Sequence, residues 1–264
     1  MLTAVKNQWK VTLKSIKYAT MRQMENRASF LMNIFFMILN NASFILQWVI
    51  LYSVKSDVGG YSFNQVLLLW GMASATYGFA HYFFRKAYTL SRTITNGKLD
   101  AYLVQPKNVL ISAITSEVEP SAIGDLLYGY ILLFISGITI PKFFLFTLFV
   151  VCGALVQTSI AIILASLSFW IDNSEMIANT GNSLFDIFNT YPDGIFKGVT
   201  RLLLFTVIPV AFVTYIPVWV LTTFSLKLTL LIFVVTIVLV SLAFIVFYRG
   251  LRRYSSSNLM NARI

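Results

Sequence analysis

Six acidic or amide side chains recur at three- and four-residue steps in one stretch of this chain. They are Asp172, Glu175, Asn179, Asn182, Asp186 and Asn189. On an α-helix this spacing places them on one continuous face. Carboxylates on a membrane helix turn toward the bundle interior, a subunit interface or a water-filled cavity. The face therefore suits a transport pathway or an interface between chains, and Glu175 and Asp186 could alternatively relay protons.

A second polar series contains Asn33, Asn40 and Gln47, spaced seven residues apart. A seven-residue spacing keeps the three amides in one helical stripe, which we expect to face protein or water rather than lipid. Amides form hydrogen bonds between membrane helices readily, so the stripe has two interpretations. It packs against a neighbouring helix, or it contacts a transported substrate directly.

Other chemistries lack the residues that they need. His81 is the single histidine and Cys152 the single cysteine, so we predict neither a His-based metal site nor an intrachain disulfide. The chain has no G-x-x-x-x-G-K-[ST] phosphate loop. It also has no recognisable pairing of a nucleophile with a base. We therefore predict a protein that is not an enzyme and binds no cofactor itself.

The composition determines which solvent surrounds these residues. The chain has 264 residues, of which 58% are hydrophobic and 11% charged, and its mean hydropathy is +0.76. A soluble domain has about 25% charged residues, so we predict an all-α integral membrane protein with one domain. At about 20 residues per span, the length accommodates about six spans. Five apolar stretches are clear, at residues 28–52, 63–84, about 120–140, 142–171 and 226–248.

Basic residues predict the orientation. Most of the 20 Lys and Arg lie before residue 28, after residue 248 or in a polar island at residues 85–107. Because Lys and Arg near span ends stay in the cytoplasm, we expect both termini and the island there, with an even number of spans. The net charge of +10 is then explained by basic residues on the cytoplasmic side, which also attract anionic membrane lipid. It does not indicate nucleic-acid binding.

The N-terminal segment, residues 1–27, has the pattern of an amphipathic helix lying in the membrane interface. Its apolar positions recur at three- and four-residue steps and its lysines lie on the other side. The apolar positions are Leu2, Val5, Trp9, Leu13 and Ile16, and the basic ones Lys6, Lys10, Lys14 and Lys17. A solvated basic tail is the alternative.

Three further acids, Glu117, Glu119 and Asp125, gather where the third span begins. They could have a helix-start role, or a coupling or proton role.

Residues 171–222 allow two topologies with the same number of spans. In one, residues 202–222 form the fifth span, interrupted by Pro209 and Pro217, and residues 171–201 form a cytoplasmic loop. In the other, residues 171–190 form the span and residues 191–223 fold back on the outer surface as a re-entrant hairpin. The helical period of the six polar residues and the Tyr191-Pro192-Asp193-Gly194 turn signal favour the second topology.

The run Asn96-Gly97-Lys98-Leu99-Asp100-Ala101-Tyr102-Leu103-Val104-Gln105-Pro106 resembles a G-x-L-D-x-x-L-x-x-P segment of bacterial type 2 ATP-binding cassette (ABC) permeases. Tyr191-Pro192, Ile208-Pro209-Val210-Ala211-Phe212, Tyr215-Ile216-Pro217 and Gly250-Leu251-Arg252-Arg253-Tyr254-Ser255 are similar in order and spacing. The resemblance covers the chain from the island to the C-terminus. One departure is that the stretch 172–186 is more polar than that family's fifth span.

The resemblance implies a six-span permease subunit of an ABC exporter in the bacterial plasma membrane. It also implies an N-terminal connecting helix at residues 1–27, a coupling helix in residues 85–107 and a re-entrant segment in residues 191–223. The implied partners are an ABC ATPase in two copies, carrying ATP and Mg²⁺, and a second permease chain, identical or related. An ion-gradient-driven transporter or channel is the alternative function.

The predicted residues fall into three sets. For contact with the ATPase they are Arg92, Asn96, Gly97, Lys98, Leu99, Asp100, Leu103 and Pro106. For the pathway or dimer interface they are Asn33, Asn40, Gln47, Glu175, Asn179, Asn182 and Asp186. For the re-entrant region they are Tyr191, Pro192, Pro209, Tyr215 and Pro217.

Overall fold

The structure is a computed structural model and describes residues 2–137, 139–171 and 174–255. Asp172, the first of the six polar positions, and Arg263, one of the C-terminal basic residues, lie outside the described residues. The described part is helical, and its extended pairing is limited to an isolated bridge between Val58 and Tyr61. The predicted all-α class is confirmed.

The helices in chain order are α1 (Leu2–Gln23), α2 (Arg27–Val54), α3 (Phe63–Phe84), α4 (Leu90–Thr95), α5 (Asp100–Leu103), α6 (Val109–Ile114), α7 (Ala122–Ile135), α8 (Ile140–Ser166), α9 (Ser174–Asn189), α10 (Gly198–Thr206), α11 (Tyr215–Thr222) and α12 (Leu226–Leu251). Short 3₁₀ turns lie at Arg85–Thr89, Leu167–Phe169, Asp193–Ile195 and Val210–Phe212. The polar island thus contains α4, α5 and one 3₁₀ turn.

Three described helices are long and apolar enough to cross a membrane: α2, Ile140–Phe169 and α12. The pair Gly198–Thr206 and Val210–Thr222 qualifies jointly but is bent by 60°, with Pro209 at the bend. Pro cannot donate the backbone hydrogen bond that would continue the helix. By length and composition the described residues therefore contain three or four candidate spans. The prediction of six depends on α3, α7 and α9, which occupy the other expected positions but are shorter or more polar.

The predicted N-terminal helix is present as α1, and its small polar side chains attach it to the rest of the chain. Gln8 Oε1 accepts a hydrogen bond from the backbone N–H of Asn108, and Ser15 Oγ donates one to the carbonyl of Thr115. On another side of the helix, Trp9 is 65% exposed. The helix therefore packs partly through polar residues, with Thr12 and Ala19 also buried, and Trp9 is left uncovered.

The centre of the fold is α3, which packs against α7 and α8. Glycines let the backbones of α3 and α7 touch: a Cβ on Gly129 would lie 2.5 Å from the Gly71 carbonyl oxygen and 2.7 Å from the Ala75 nitrogen. At Gly124 a Cβ would lie 2.6 Å from the Ile34 carbonyl oxygen of α2. Such small-residue contacts are how membrane helices approach closely. They hold α2, α3 and α7 as one frame.

The described part of residues 171–222 is helical from Ser174 to Asn189, as the period of its polar residues predicts. Most of the described residues in 171–201 are therefore helical rather than irregular, and the choice between the two topologies stays a prediction. After α9 the chain turns through buried Pro192 and enters the bent pair. Tyr215 on α11 is fully buried, and its hydroxyl donates a 2.6 Å hydrogen bond to the Phe188 carbonyl oxygen of α9. The bent pair is thus fastened to the end of α9.

Candidate functional site

A cavity of about 830 Å³ lies between α2, α3, α7 and the C-terminal half of α9. Pockets that bind small organic molecules usually have volumes of about 300–1,000 Å³. Its polar lining consists chiefly of Asn40, Asn41, Gln47, Asp125, Asp186 and Asn189. Its aromatic lining consists of Phe44, Trp48, Trp70, Tyr77 and Tyr191. The lining thus combines carboxylates and amides with broad apolar walls.

Asp125 is buried in the first turn of α7. Its Oδ1 accepts a 2.7 Å hydrogen bond from Asn41 Nδ2 on α2, and its backbone carbonyl accepts a 2.8 Å hydrogen bond from Ser74 Oγ on α3. One residue therefore links the three helices of the frame. Its Oδ2 is buried without a hydrogen-bond partner among the described residues. Asp125 does not act simply as a helix-start residue.

Asp186 is partly exposed and approaches the cavity from α9. Its Oδ1 accepts a 2.8 Å hydrogen bond from Nε2 of Gln157, a buried residue of α8. Asn189, one turn further along α9, is buried, and its Oδ1 has no hydrogen-bond partner in the described ranges. Each cavity carboxylate is therefore held at one oxygen by an amide from a neighbouring helix.

The residues predicted for the pathway or the dimer interface are not all brought together. Asn40, Gln47 and Asp186 line the cavity. Asn33 and Asn179 are exposed and Asn182 is half-buried, and all three lie outside the cavity lining. Glu175 also differs from expectation, because it pairs with Arg92 of the island instead of lining the cavity.

Asn41 and Asp125 line the cavity, but the sequence pattern predicts neither residue there. Asn41 follows Asn40 directly, yet the seven-residue spacing selects Asn40 and leaves its neighbour out. Its burial results from the close approach of α2 to α7 at Gly124. A contact between two helices distant in sequence has no periodic signal in either of them.

The predicted coupling run begins with a helix stop at Gly97. The Gly97 N–H donates to the Ile94 carbonyl and the Lys98 N–H to the Thr93 carbonyl, while Gly97 has a φ of +67°. These are the bonds of a Schellman motif, whose left-handed position favours glycine. The next residue after Lys98, Leu99, is then turned inward and is fully buried. The prediction that Leu99 contacts a partner is therefore wrong, because its side chain is already buried within this chain.

The outer side of the island carries other residues. Leu103 and Val104 are exposed, Val104 by 83%, and the side chains of Asn96, Lys98 and Pro106 are also exposed. Asp100 is half-buried, and burial together with the Asp100 carboxylate raises the pKa of Tyr254 to about 12. Asp100 therefore faces the segment that follows α12.

Ion pairs attach the island to neighbouring elements. Arg92 pairs with Glu175 on α9, Arg85 pairs with Glu119 at 3.2 Å, and Lys86 pairs with Glu117. Glu117 and Glu119 lie in the link before α7, so this link is fixed to the island. Neither acid lies within a described helix, and their coupling role stays a prediction.

At the end of the bundle opposite the island, Asp193 connects the α2–α3 loop to α10. Its Oδ1 accepts a 2.8 Å hydrogen bond from the Tyr61 hydroxyl, and its Oδ2 accepts a 2.6 Å hydrogen bond from Arg201 Nη2. Trp219 Nε1 donates a 3.0 Å hydrogen bond to the Tyr61 hydroxyl oxygen. The α2–α3 loop is thereby tied to α10 and α11. Tyr191 lies beside this connection, with its ring centroid 6.1 Å from that of Trp48.

No three His, Cys, Asp or Glu side chains of the described residues are grouped so that they could hold a metal ion. The residues offer amides, carboxylates and aromatic rings, which are groups that bind and orient an organic molecule.

The apolar helices point to a membrane-embedded α-helical protein, and a cavity lies between its helices. The model of the protein family "ABC-2 family transporter protein" matches residues 37–258 of the chain. The chain therefore belongs to this family, as the resemblance indicated, and is the permease component of an ABC transporter. Family membership implies association with an ABC ATPase. Comparisons with curated proteins and with solved structures find no match.

Proposed function

We propose that the chain is half of the membrane part of an exporter in the bacterial plasma membrane, driven by a separate ATPase that binds ATP and Mg²⁺. The observation that carries the proposal is that α9 connects the island to the cavity. Its first turn contains Glu175, which pairs with Arg92, and eleven residues later Asp186 lines the cavity. At 1.5 Å per residue the two positions are about 16 Å apart on one helix.

Further contacts support α9 as a near-rigid connection. The hydroxyls of Ser91 in α4 and Ser168 are 2.6 Å apart, and Ser174 Oγ donates a 2.7 Å hydrogen bond to Ser168 Oγ. The island, the end of α8 and the start of α9 are therefore held together by hydroxyl groups as well as by the ion pair. Movement of the island would displace the cavity wall, which is the coupling that a nucleotide-driven change of opening requires.

The proposed docking surface for one ATPase copy, of the two in the complex, is the exposed edge of the island. It consists of Leu103, Val104 and Pro106, with Lys98 beside them. Exposed apolar residues at a cytoplasmic loop are unfavourable in water and suit a protein interface. Leu99 supports this edge from inside the chain.

The proposed topology has six spans, α2, α3, α7, α8, α9 and α12, with both termini and the island in the cytoplasm. In this topology α10 and α11 form a re-entrant hairpin on the opposite side, closed by Asp193, and α1 lies in the interface as the connecting helix. A second permease chain, identical or related, would cover the exposed side of α2 that carries Asn33.

The test is purification of the tagged chain from its native membrane in mild detergent. A cassette-type ATPase should co-purify, and the reconstituted complex should move substrate only with ATP. Val104→Asp should release the ATPase because it places a charge on the apolar edge. Val54→Asp is the matched control. Val54 is also exposed, by 80%, but it is the last residue of α2 and lies outside the island. Retention of the ATPase by Val104→Asp would contradict the proposed docking surface.

An ion-gradient-driven transporter or channel remains a second candidate, favoured by the two carboxylates that share the cavity. With Glu175 paired to Arg92, a relay would use Asp125 and Asp186. Such a protein would transport in proteoliposomes that contain this chain alone under an ion gradient. Activity that depends strictly on the ATPase would exclude this candidate.

A further inference from the structure

We infer that the cavity between α2, α3, α7 and α9 binds organic monocations that carry N–H donors on an apolar or aromatic body. As a substrate class for the exporter this inference rests on the proposed function. As a binding property of the chain it rests on the geometry alone.

The cavity is lined by acidic groups, although the chain as a whole is basic. The protein has a net charge of +10, but among the described residues the cavity lining includes Asp125 and Asp186 and no Lys, Arg or His. In a weakly polar environment two carboxylates attract a cation strongly. The surrounding protein supplies no cationic side chain to the lining that would neutralise them.

The hydrogen-bonding groups point to a donor-bearing ligand. Asn41 and Gln157 each donate to one oxygen of a cavity carboxylate, so the carboxylates are oriented. Asp125 Oδ2 and Asn189 Oδ1 are buried acceptors with no partner in the described part of the chain. An unpaired buried acceptor costs about 1–3 kcal/mol. An N–H donor of a ligand that reaches these oxygens would remove this cost.

The walls favour an organic cation over a bare metal ion. Phe44 and Trp70 stack with centroids 5.7 Å apart, and Trp48 lies 6.1 Å from Tyr191. Aromatic faces attract organic cations through the quadrupole of the ring. The volume of about 830 Å³ matches a small organic molecule and far exceeds a single metal ion.

The test uses the full chain with its co-purified partners in lipid nanodiscs and measures fluorescence polarisation of rhodamine 6G. This dye is a monocation with two secondary amines on an aromatic ring system. Rhodamine 19 has the same ring system and amines but a free carboxylate, so it is a zwitterion and serves as the matched ligand. Empty nanodiscs give the background from partition into lipid.

Rhodamine 6G should bind saturably and at least about tenfold more tightly than rhodamine 19, a difference of about 1.4 kcal/mol. Asp186→Asn and Asp125→Asn should each weaken its binding by about tenfold or more. The control Asp57→Asn removes the same charge from an exposed loop outside the cavity and should bind like wild type. Size-exclusion profiles should show that each variant is folded.

Three results would overturn the inference: no saturable binding by wild type, equal affinity for the two dyes, or wild-type affinity in both folded cavity variants. Binding is measured without ATP, so it is independent of the proposed transport. If no ATPase co-purifies but binding depends on the two carboxylates, the cation site stands and the proposed function fails. If the ATPase co-purifies but the Asp125 and Asp186 variants bind the dye with wild-type affinity, only this inference fails.

Discussion

The guanidinium of Arg92 donates two hydrogen bonds to one oxygen of Glu175, from Nε at 3.0 Å and from Nη2 at 2.6 Å. The pair joins α4 to the first turn of α9, and α9 ends at the cavity. Arg92 is largely exposed and Glu175 partly so. Exposed pairs contribute little to stability, so we expect loss of this pair to affect the connection between the two elements more than folding.

Breaking the Arg92–Glu175 pair should therefore uncouple transport without unfolding the protein. We expect Glu175→Arg to lower transport per ATP hydrolysed in the reconstituted complex, with thermal stability close to wild type. The double variant Arg92→Glu, Glu175→Arg restores the opposite charges and should recover a substantial part of the coupling. Full coupling in the single variant would show that α9 is not driven through this pair.

Leu99 and Leu103 should respond differently to the same substitution, although both belong to the predicted coupling run. Leu99 is fully buried with Leu90, Ile94 and Leu110, whereas Leu103 is exposed. Leu99→Ala leaves a cavity and should cost about 2–5 kcal/mol of stability, measured as a lower melting temperature in detergent. Leu103→Ala should melt like wild type and instead weaken ATPase binding. Equal melting temperatures for the two variants would contradict the observed burial.

The contrast between Leu99 and Leu103 shows what the sequence can predict. The period of the polar residues predicts α9. Periodicity, however, describes one helix at a time. It places Glu175 and Asp186 on a common face, but the partners of that face, Arg92 and Gln157, come from distant segments. Likewise Asn41 becomes a cavity residue only because Gly124 lets α2 approach α7.

Asp193 should stabilise the bent pair through its two donors, Tyr61 and Arg201. The carboxylate is buried, so replacing it leaves the Tyr61 hydroxyl without this acceptor and removes the charge opposite Arg201. Asp193→Ala should lower the melting temperature and speed tryptic cleavage after Arg201, because α10 is released from the α2–α3 loop. Asp57→Asn, in the same loop but exposed, is the control, because asparagine keeps the Oδ1 acceptor for the Gly60 N–H. Cleavage at wild-type rate in Asp193→Ala would mean that the loop is held by other contacts.

Gly129 should be intolerant of even one added methyl group. A Cβ there would lie 2.5 Å from the Gly71 carbonyl oxygen and 2.6 Å from the Ala75 Cβ. Both atoms belong to the backbone or lie next to it, and neither can move without shifting α3. Gly129→Ala should therefore force α3 and α7 apart, cost about 1–3 kcal/mol and disturb the cavity frame.

Gly181 supplies the comparison for Gly129. A Cβ at Gly181 would lie 2.7 Å from Leu164 Cδ1, which is the end of a flexible side chain that can change rotamer. Alanine is also the better helix former, by about 1 kcal/mol. In parallel thermal melts Gly129→Ala should lose stability while Gly181→Ala stays near wild type or gains. A Gly129→Ala protein that melts like wild type would show that α3 and α7 are not in backbone contact, and the cavity would then lack the rigid wall that holds Asp125 in place.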